Sequence, residues 1–354
     1  MSNLFIHPAF DDHERVVFLN DQASGLRALI AVHNTAAGPA AGGVRFWHYQ
    51  SEDEALLDVL RLSKGMSFKA VMAGLPLGGG KAVILADEQR TKTEAMLLAF
   101  GRAVDQLNGS YIAAEDVGIT TEDVAVMRQA TSHVAGLDQG QHASGDPSPM
   151  TARGVFLGLK AAVAHRLRRD LHGLRVGVLG LGAVGMKLAA MLHEQGARLI
   201  VADIDRARVR QAEDQFDAKP VSAQSLISEP MDVLAPCALG GILTLDVVDR
   251  LHAKVVAGAA NNQLAFTDVG RALYDRGILY APDYVINAGG VINVAGEIAA
   301  SYDREETMAA LQRIPETLGK IFVESETSDL PTNIVADTIA RRRLLKLHAE
   351  KHAA

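Results

Sequence analysis

The stretch L-R-V-G-V-L-G-L-G-A-V-G-M-K-L-A-A-M-L (174–192) limits the folds open to this chain more than any other segment. A short apolar run ends in Gly180-x-Gly182-x-x-Gly185, and a helical pattern follows at once. A second apolar run, A-R-L-I-V-A-D (197–203), ends in Asp203, 18 residues past Gly185. Three glycines at this spacing are a weak signal alone. With a strand before, a helix after and an acid closing the next strand, they form a dinucleotide-binding fingerprint. Gly180 permits the tight turn, Gly182 lets a pyrophosphate approach the backbone, and Gly185 allows close helix–strand packing. The helix N-terminus supplies N–H donors. Ala183 and Val184 inside the turn and Ile204 after the acid are further candidate cofactor contacts. Asp203 suits the two hydroxyls of an adenine ribose. With Asp205 it repels a 2′-phosphate, so NAD is the expected cofactor, and Arg206 is the feature that keeps NADP open.

The rest of the second half agrees with that unit. A helical pattern over 151–165 precedes it. Apolar runs at 233–238, 254–260 and 277–282 alternate with helical stretches, the signature of parallel β-α-β units. Helices are expected at about 304–324 and 330–351. The first half differs. Strands are expected within 14–49, then a helix capped by Ser51, with Glu54 completing a capping box and Lys69 near its end. Gly74 and Pro76 stop that helix, and K-A-V-I-L-A (81–86) reads as the next strand. No internal repeat is visible.

Between helix and strand lies G-L-P-L-G-G-G-K-A (74–82). A nucleotide-triphosphate loop needs G-x-x-x-x-G-K followed by Ser or Thr, but Leu75 replaces its first glycine and Ala82 its hydroxyl. The remaining reading is that Gly78, Gly79 and Gly80 let the backbone come close to a ligand while Lys81 projects into the same site. A lone lysine is normally a solvated charge. Lys69 and Lys81 instead share apolar, glycine-rich surroundings, which lower a lysine's pKa as a general base requires. Glu115 and Asp116 follow at an expected strand end.

Composition removes other classes. With 48% hydrophobic and 22% charged residues, the 354-residue chain has ample core for about two domains. A net charge of -7 disfavours nucleic acid or an anionic membrane as partner. The single cysteine, Cys237, cannot form an internal disulfide, and it lacks a histidine partner that would make it a nucleophile. No signal segment or spanning run is visible, so the cytoplasm is expected. The 12 histidines show no metal-binding spacing, so no metal is expected.

Several stretches together resemble one family: G-P-A-A-G-G-V-R (38–45), K-G-M-S-F-K (64–69), G-L-P-L-G-G-G-K (74–81), A-E-D-V-G (114–118), D-P-S-P-M-T-A-R-G-V (146–155), G-A-A-N-N-Q (258–263) and Y-A-P-D-Y-V-I-N-A-G-G-V-I-N-V (280–294). The chain is similar to the glutamate, leucine, phenylalanine and valine dehydrogenases, most of all to the leucine branch, over nearly its whole length. The resemblance implies an α/β fold of two domains with a cleft between them. The substrate and oligomerisation domain would be 1–136 with 328–354, and the Rossmann domain 137–327. It also implies roles. Lys69 would bind the substrate carboxylate, Lys81 would activate water as general base, and Asp116 would carry protons to and from the substrate nitrogen. Asn262 would hold substrate and cofactor, Thr151 would contact the nicotinamide carboxamide, and Cys237 and Ala238 would lie beside the cofactor. Gly42 and Gly43 would line the substrate approach, with Ala41, Ala114, Val291 and Val294 around the substrate side chain.

In that family a glutamate-specific site carries an additional lysine in the glycine strip. Leu77 and its neighbours offer none, so an apolar amino acid is the implied substrate, with leucine and other branched-chain amino acids first. Ala41 departs toward a smaller residue and keeps phenylalanine or another aromatic substrate in play, since one methylene discriminates by only about 1–3 kcal/mol. Asp146 and Gly296 are further departures. The products would be a 2-oxo acid and ammonia, activity would rise toward alkaline pH, and a homo-oligomer is implied. The competing class is a non-catalytic NAD-binding regulator, which predicts a broken lysine–aspartate set; here the set is complete.

Overall fold

A computed structural model describes residues 4–87, 91–137, 143–238 and 240–353. The first three residues of the stretch searched for a signal lie outside that range. The chain forms two compact units: 1–146 with 293–303 and 340–354, and 147–292 with 304–339. The expected boundaries put 137–146 and 293–303 in the second unit and 328–339 in the first, whereas the described residues of these stretches group the other way. Chain order alone does not show which unit a connecting helix packs on.

In the first unit, β1 (Arg15–Asp21), β2 (Leu26–Asn34), β3 (Ala40–Trp47), β4 (Gly78–Leu85) and β5 (Tyr111–Ala114) form one sheet in the order β1-β2-β4-β3-β5. β1 and β4 run antiparallel to β2, and β3 runs parallel to β4 and β5. Alternation along β2 divides the core. Leu29 and Ala31 face α1 (Glu52–Met72) and pack with Leu56, Val59 and Leu60. Ala28, Ile30 and Val32 face the other way, toward Phe100 and Val104 of α2 (Glu94–Asp105) and Val124 and Met127 of α3 (Thr121–Arg128).

Ser51 caps α1 by accepting from the Glu54 N–H, but Glu54 accepts from the Gln50 N–H, one residue before the N-cap partner of a standard capping box.

The second unit holds α4 (Ser148–Leu167), then β6 (Arg175–Leu179), α5 (Ala183–Glu194), β7 (Arg198–Ala202), α6 (Arg206–Phe216), β8 (Lys219–Pro220), α7 (Ala223–Ser228), β9 (Val233–Pro236), α8 (Leu245–Arg250), β10 (Val255–Val256), α9 (Asp268–Asp275), β11 (Leu279–Tyr280) and α10 (Asp283–Ile286). Its strands are all parallel in the order β11-β10-β9-β6-β7-β8. Read from β8, this is the doubly wound order in which the chain reverses direction beside β6. Helix α11 (Gly289–Ile298) has residues in both units.

The helix expected over 304–324 is two, α12 (Arg304–Ala310) and α13 (Arg313–Ser328). Helix α14 (Thr332–Ala353) ends the described chain. Its R-R-R-L-L-K-L-H run is more than a solvated face. Arg341 pairs with Asp11 at 3.2 Å, and Arg343 donates to the Val71 and Met72 carbonyls that close α1. No helix among the described residues is long and apolar enough to cross a membrane.

Candidate active site

The expectation for Gly78, Gly79 and Gly80 is a backbone that comes close to a ligand; in the structure they begin β4. Their missing side chains make room for protein. A Cβ on Gly78 would lie 2.0 Å from the Asn34 carbonyl oxygen, one on Gly79 would lie 2.0 Å from the Ser67 nitrogen, and one on Gly80 would lie 2.6 Å from the Tyr111 ring. No side chain fits at such distances. The strip therefore lets α1 press its last turns onto β4, which brings the Lys69 turn to the strand carrying Lys81.

Strand pairing then assembles the site. In β3 and β4, Ala41 stands opposite Gly79 and Val44 opposite Ala82, so Gly43 stands beside Lys81. A Cβ on Gly43 would come within 3.1 Å of Lys81 Nζ and 2.7 Å of the Asp116 Cβ. Gly42 faces away from that space, with its bare Cα against the Gly80 carbonyl. Ala114 pairs with Gly43, and Ala41 with Ile112.

Lys81 is buried, and its Nζ lies 2.6 Å from Asp116 Oδ2. Arg45 Nε donates to the same oxygen at 3.1 Å, and its Nη1 donates to Asp58 Oδ2 at 2.8 Å. The Tyr49 hydroxyl donates to that Asp58 oxygen at 2.7 Å. The chain of contacts thus runs Tyr49, Asp58, Arg45, Asp116, Lys81.

Electrostatics follow from burial. Loss of water drives Lys81 below the ordinary lysine value, against the pull of Asp116 toward the charged form. Burial raises the Asp116 carboxyl, but Lys81 and Arg45 outweigh it and hold the group at about 2. Burial and the bond to Asp58 push the Tyr49 hydroxyl far up, so it remains a donor.

Arg45, Asp58 and Tyr49 were not singled out from sequence. Arg45 was within reach of such reasoning, because it closes the G-P-A-A-G-G-V-R stretch two residues after Gly43, on the same face of a strand. Asp58 and Tyr49 had no comparable signal.

The second unit carries the cofactor residues. Gly180 has φ +101°, a conformation few side chains adopt, and its N–H donates to the Ala202 carbonyl. Gly182 caps α5, and Ala183, Val184 and Gly185 form its first turn. A Cβ on Gly185 would lie 1.9 Å from the Gly180 carbonyl oxygen, and one on Gly180 would lie 2.7 Å from the Ala238 nitrogen. Cys237 packs against Gly185, and burial raises its thiol to about 11, so it is an inert wall. The Asp203 carboxylate accepts from the Leu181 and Asp205 N–H groups, which fixes its orientation and leaves acceptor capacity for ribose hydroxyls. Ile204 is fully exposed beside it. Thr151 is in the first turn of α4, with its hydroxyl donating to the Pro147 carbonyl. Asn262 has φ +51°. A bare glycine turn at a helix N-terminus with an acid after the next strand fits NAD without rearrangement. Val291 and Val294 lie one helical turn apart on α11, the first in the second unit and the other in the first.

A dinucleotide turn in one unit and a buried lysine–aspartate pair in the other define a two-domain NAD-dependent dehydrogenase. Comparison with known proteins narrows the class. The family model for the Glu/Leu/Phe/Val dehydrogenase dimerisation domain matches residues 13–133, and the Glutamate/Leucine/Phenylalanine/Valine dehydrogenase model matches residues 199–350. The NAD-binding domain model of D-isomer specific 2-hydroxyacid dehydrogenases matches 152–239, the glycine turn and its surroundings. Leucine dehydrogenase of Geobacillus stearothermophilus is 47% identical over 96% of this chain and 93% of its own length. Valine dehydrogenase of Streptomyces virginiae is 46% identical over 94% of each. The crystal structure of L-tryptophan dehydrogenase from Nostoc punctiforme has a TM-score of 0.83 at 42% identity, covering 95% of this chain and 97% of that one. The chain belongs to the Glu/Leu/Phe/Val dehydrogenase family and is an NAD-dependent amino acid dehydrogenase.

Proposed function

We propose that the protein catalyses the reversible oxidative deamination of an apolar L-amino acid, leucine and other branched-chain amino acids first, to the 2-oxo acid and ammonia. The buried Lys81–Asp116 contact of 2.6 Å carries this reading, because it joins a base and a proton carrier. Gly180, Gly182 and Gly185, with Asp203, would hold NAD, which would supply the acceptor for the hydride lost from the substrate Cα. Lys69 holds the substrate carboxylate as an ion pair. Loss of hydride leaves an imine, and neutral Lys81 takes a proton from the water that adds to the imine carbon. That proton passes to Asp116 across their contact and then to the substrate nitrogen; as the C–N bond breaks and ammonia leaves, Lys81, neutral again, takes the hydroxyl proton of the carbinolamine and the carbonyl of the 2-oxo acid forms. Asn262 and Thr151 of the second unit take part in holding the cofactor.

Two features support an apolar substrate: the strip G-L-P-L-G-G-G lacks the additional lysine that the resemblance implies for a glutamate-specific site, and the leucine and valine enzymes are 47% and 46% identical. Two observations favour a second reading, an aromatic substrate. Ala41 is small and 94% shielded from solvent, and the tryptophan enzyme has nearly the same fold at 42% identity. NADH formation at alkaline pH with leucine, valine, phenylalanine, tryptophan and glutamate in parallel decides between them. Faster turnover of leucine and valine supports the first reading; an aromatic preference replaces it; no turnover of any removes the catalytic assignment. A homo-oligomer belongs to the same proposal. Phe18 is 63% exposed on the edge strand β1, and light scattering after size exclusion measures the subunit number.

A further inference from the structure

We propose that Arg45 is a positioning residue that keeps Asp116 paired when Lys81 gives up its proton, and so lets Lys81 work as a neutral base. The proposal rests on the assignment of Lys81 as base. The geometry is specific. Arg45 and Lys81 both reach Asp116 Oδ2, at 3.1 and 2.6 Å. A lysine with a buried carboxylate as its only partner would hold its proton, because releasing it strands an uncompensated anion away from water. Arg45 removes that obstacle. Its guanidinium stays charged throughout the working range, and a second anion, Asp58, fixes it from behind at 2.8 Å. The Tyr49 hydroxyl in turn orients Asp58.

The charges around Lys81 are few. Asp116 faces it from the segment after β5, Arg45 from β3 and Asp58 from α1, with Lys69 on the last turn of that helix. Tyr49 and Tyr111 are neutral donors there, to Asp58 and to the Gly42 carbonyl. With Lys81 protonated, Arg45, Lys81, Asp116 and Asp58 sum to zero. With Lys81 neutral they sum to minus one, and Asp116 still has its arginine. Removing Arg45 makes the first state net negative, which favours the proton on Lys81.

The experiment is the pH dependence of kcat for Arg45→Met and Arg45→Lys beside the unsubstituted enzyme, with Lys81→Ala as reference. Arg45→Met is expected to move the inflection of the alkaline rise up by about one pH unit, so that the loss is about tenfold near pH 8 and shrinks at higher pH. Arg45→Lys, which keeps the charge but loses the fork, is expected to fall between. A uniform loss at every pH with the inflection in place would reduce Arg45 to a structural role and overturn the proposal. If Arg45→Met does not fold, the Arg45→Lys inflection decides alone. An unmoved inflection there overturns the proposal as well. Should Lys81→Ala retain the original inflection, the base assignment itself fails. Should it abolish the rise while Arg45→Met leaves it in place, only the role of Arg45 fails.

Discussion

The two units handle charge in opposite ways. The second unit meets an anionic cofactor with backbone: a turn stripped of side chains at Gly180, Gly182 and Gly185, and one carboxylate held by two N–H groups. The first unit buries one full charge, Lys81, and balances it through half-buried partners, with Lys81, Asp116, Arg45 and Asp58 linked by contacts of 2.6 to 3.1 Å. Glycines serve both units but differently. In the second, Gly182 leaves open space at the start of a helix, while Gly180 and Gly185 let the turn close on Ala238 and on itself. In the first they let strands and a helix pack so closely that a lysine is shut away from water. Backbone recognition is tolerant of neighbours, because N–H groups do not titrate. A network of buried charges is not, since each member sets the protonation of the next.

The comparison is most easily broken at Lys81. Lys81→Ala is expected to lower kcat by about a thousandfold while leaving NADH binding, followed by fluorescence titration, unchanged. Loss of both together would mean that the units do not divide the work. Gly185→Ala tests the other side. Its Cβ would collide with the Gly180 carbonyl, so NAD affinity should fall by roughly tenfold or more and the second unit should lose about 1–3 kcal/mol of stability in urea titration. Asp203→Ser removes the acceptor for the ribose. The ratio of NAD to NADP use, measured as kcat/KM for each, should drop by roughly 10–100-fold, the worth of a hydrogen bond to a charged group.

The smallest effect sharpens the contrast in acid. His13 is buried in the first unit against Leu60 O and Ser63, and burial with neighbouring His33 holds it down at about 4. The unfolded chain takes up this proton near 6.5, and the folded one only near 4. The unfolded state therefore binds more protons across that window, and stability falls as pH drops through it. His13→Gln should flatten that part of the melting-temperature profile, by about 1–3 kcal/mol in total. Asp116 acts lower down. Its depressed value means stability present above the ordinary carboxylate range and lost as pH falls toward 2. An unchanged slope for His13→Gln between pH 6.5 and 4 would remove His13 from the account.

Much of the fold was legible because local rules and tertiary packing agree. Val176, Val178 and Leu179 could only be a buried strand before Gly180, and the residues of β2 alternate between two cores as their sequence does. The misreadings fall where packing overrides local pattern. Gly78 to Gly80 suggest by composition a backbone bared for a ligand, whereas Asn34, Ser67 and Tyr111 occupy the space their side chains would need. The strip 293–303 follows the second unit in sequence and packs with the first.

What the sequence determined was the cofactor unit and the identities of the chemical groups. Both depend on residues close together in the chain, where spacing translates directly into geometry. Arg45, Asp58 and Asp116 come from a strand, a helix and the segment after another strand, and nothing in their spacing shows that Arg45 bridges the other two. Only the pairing of β3 with β4 and β5, and the seating of α1 on β4, put them within hydrogen-bond reach and shielded them enough from water to act on one another.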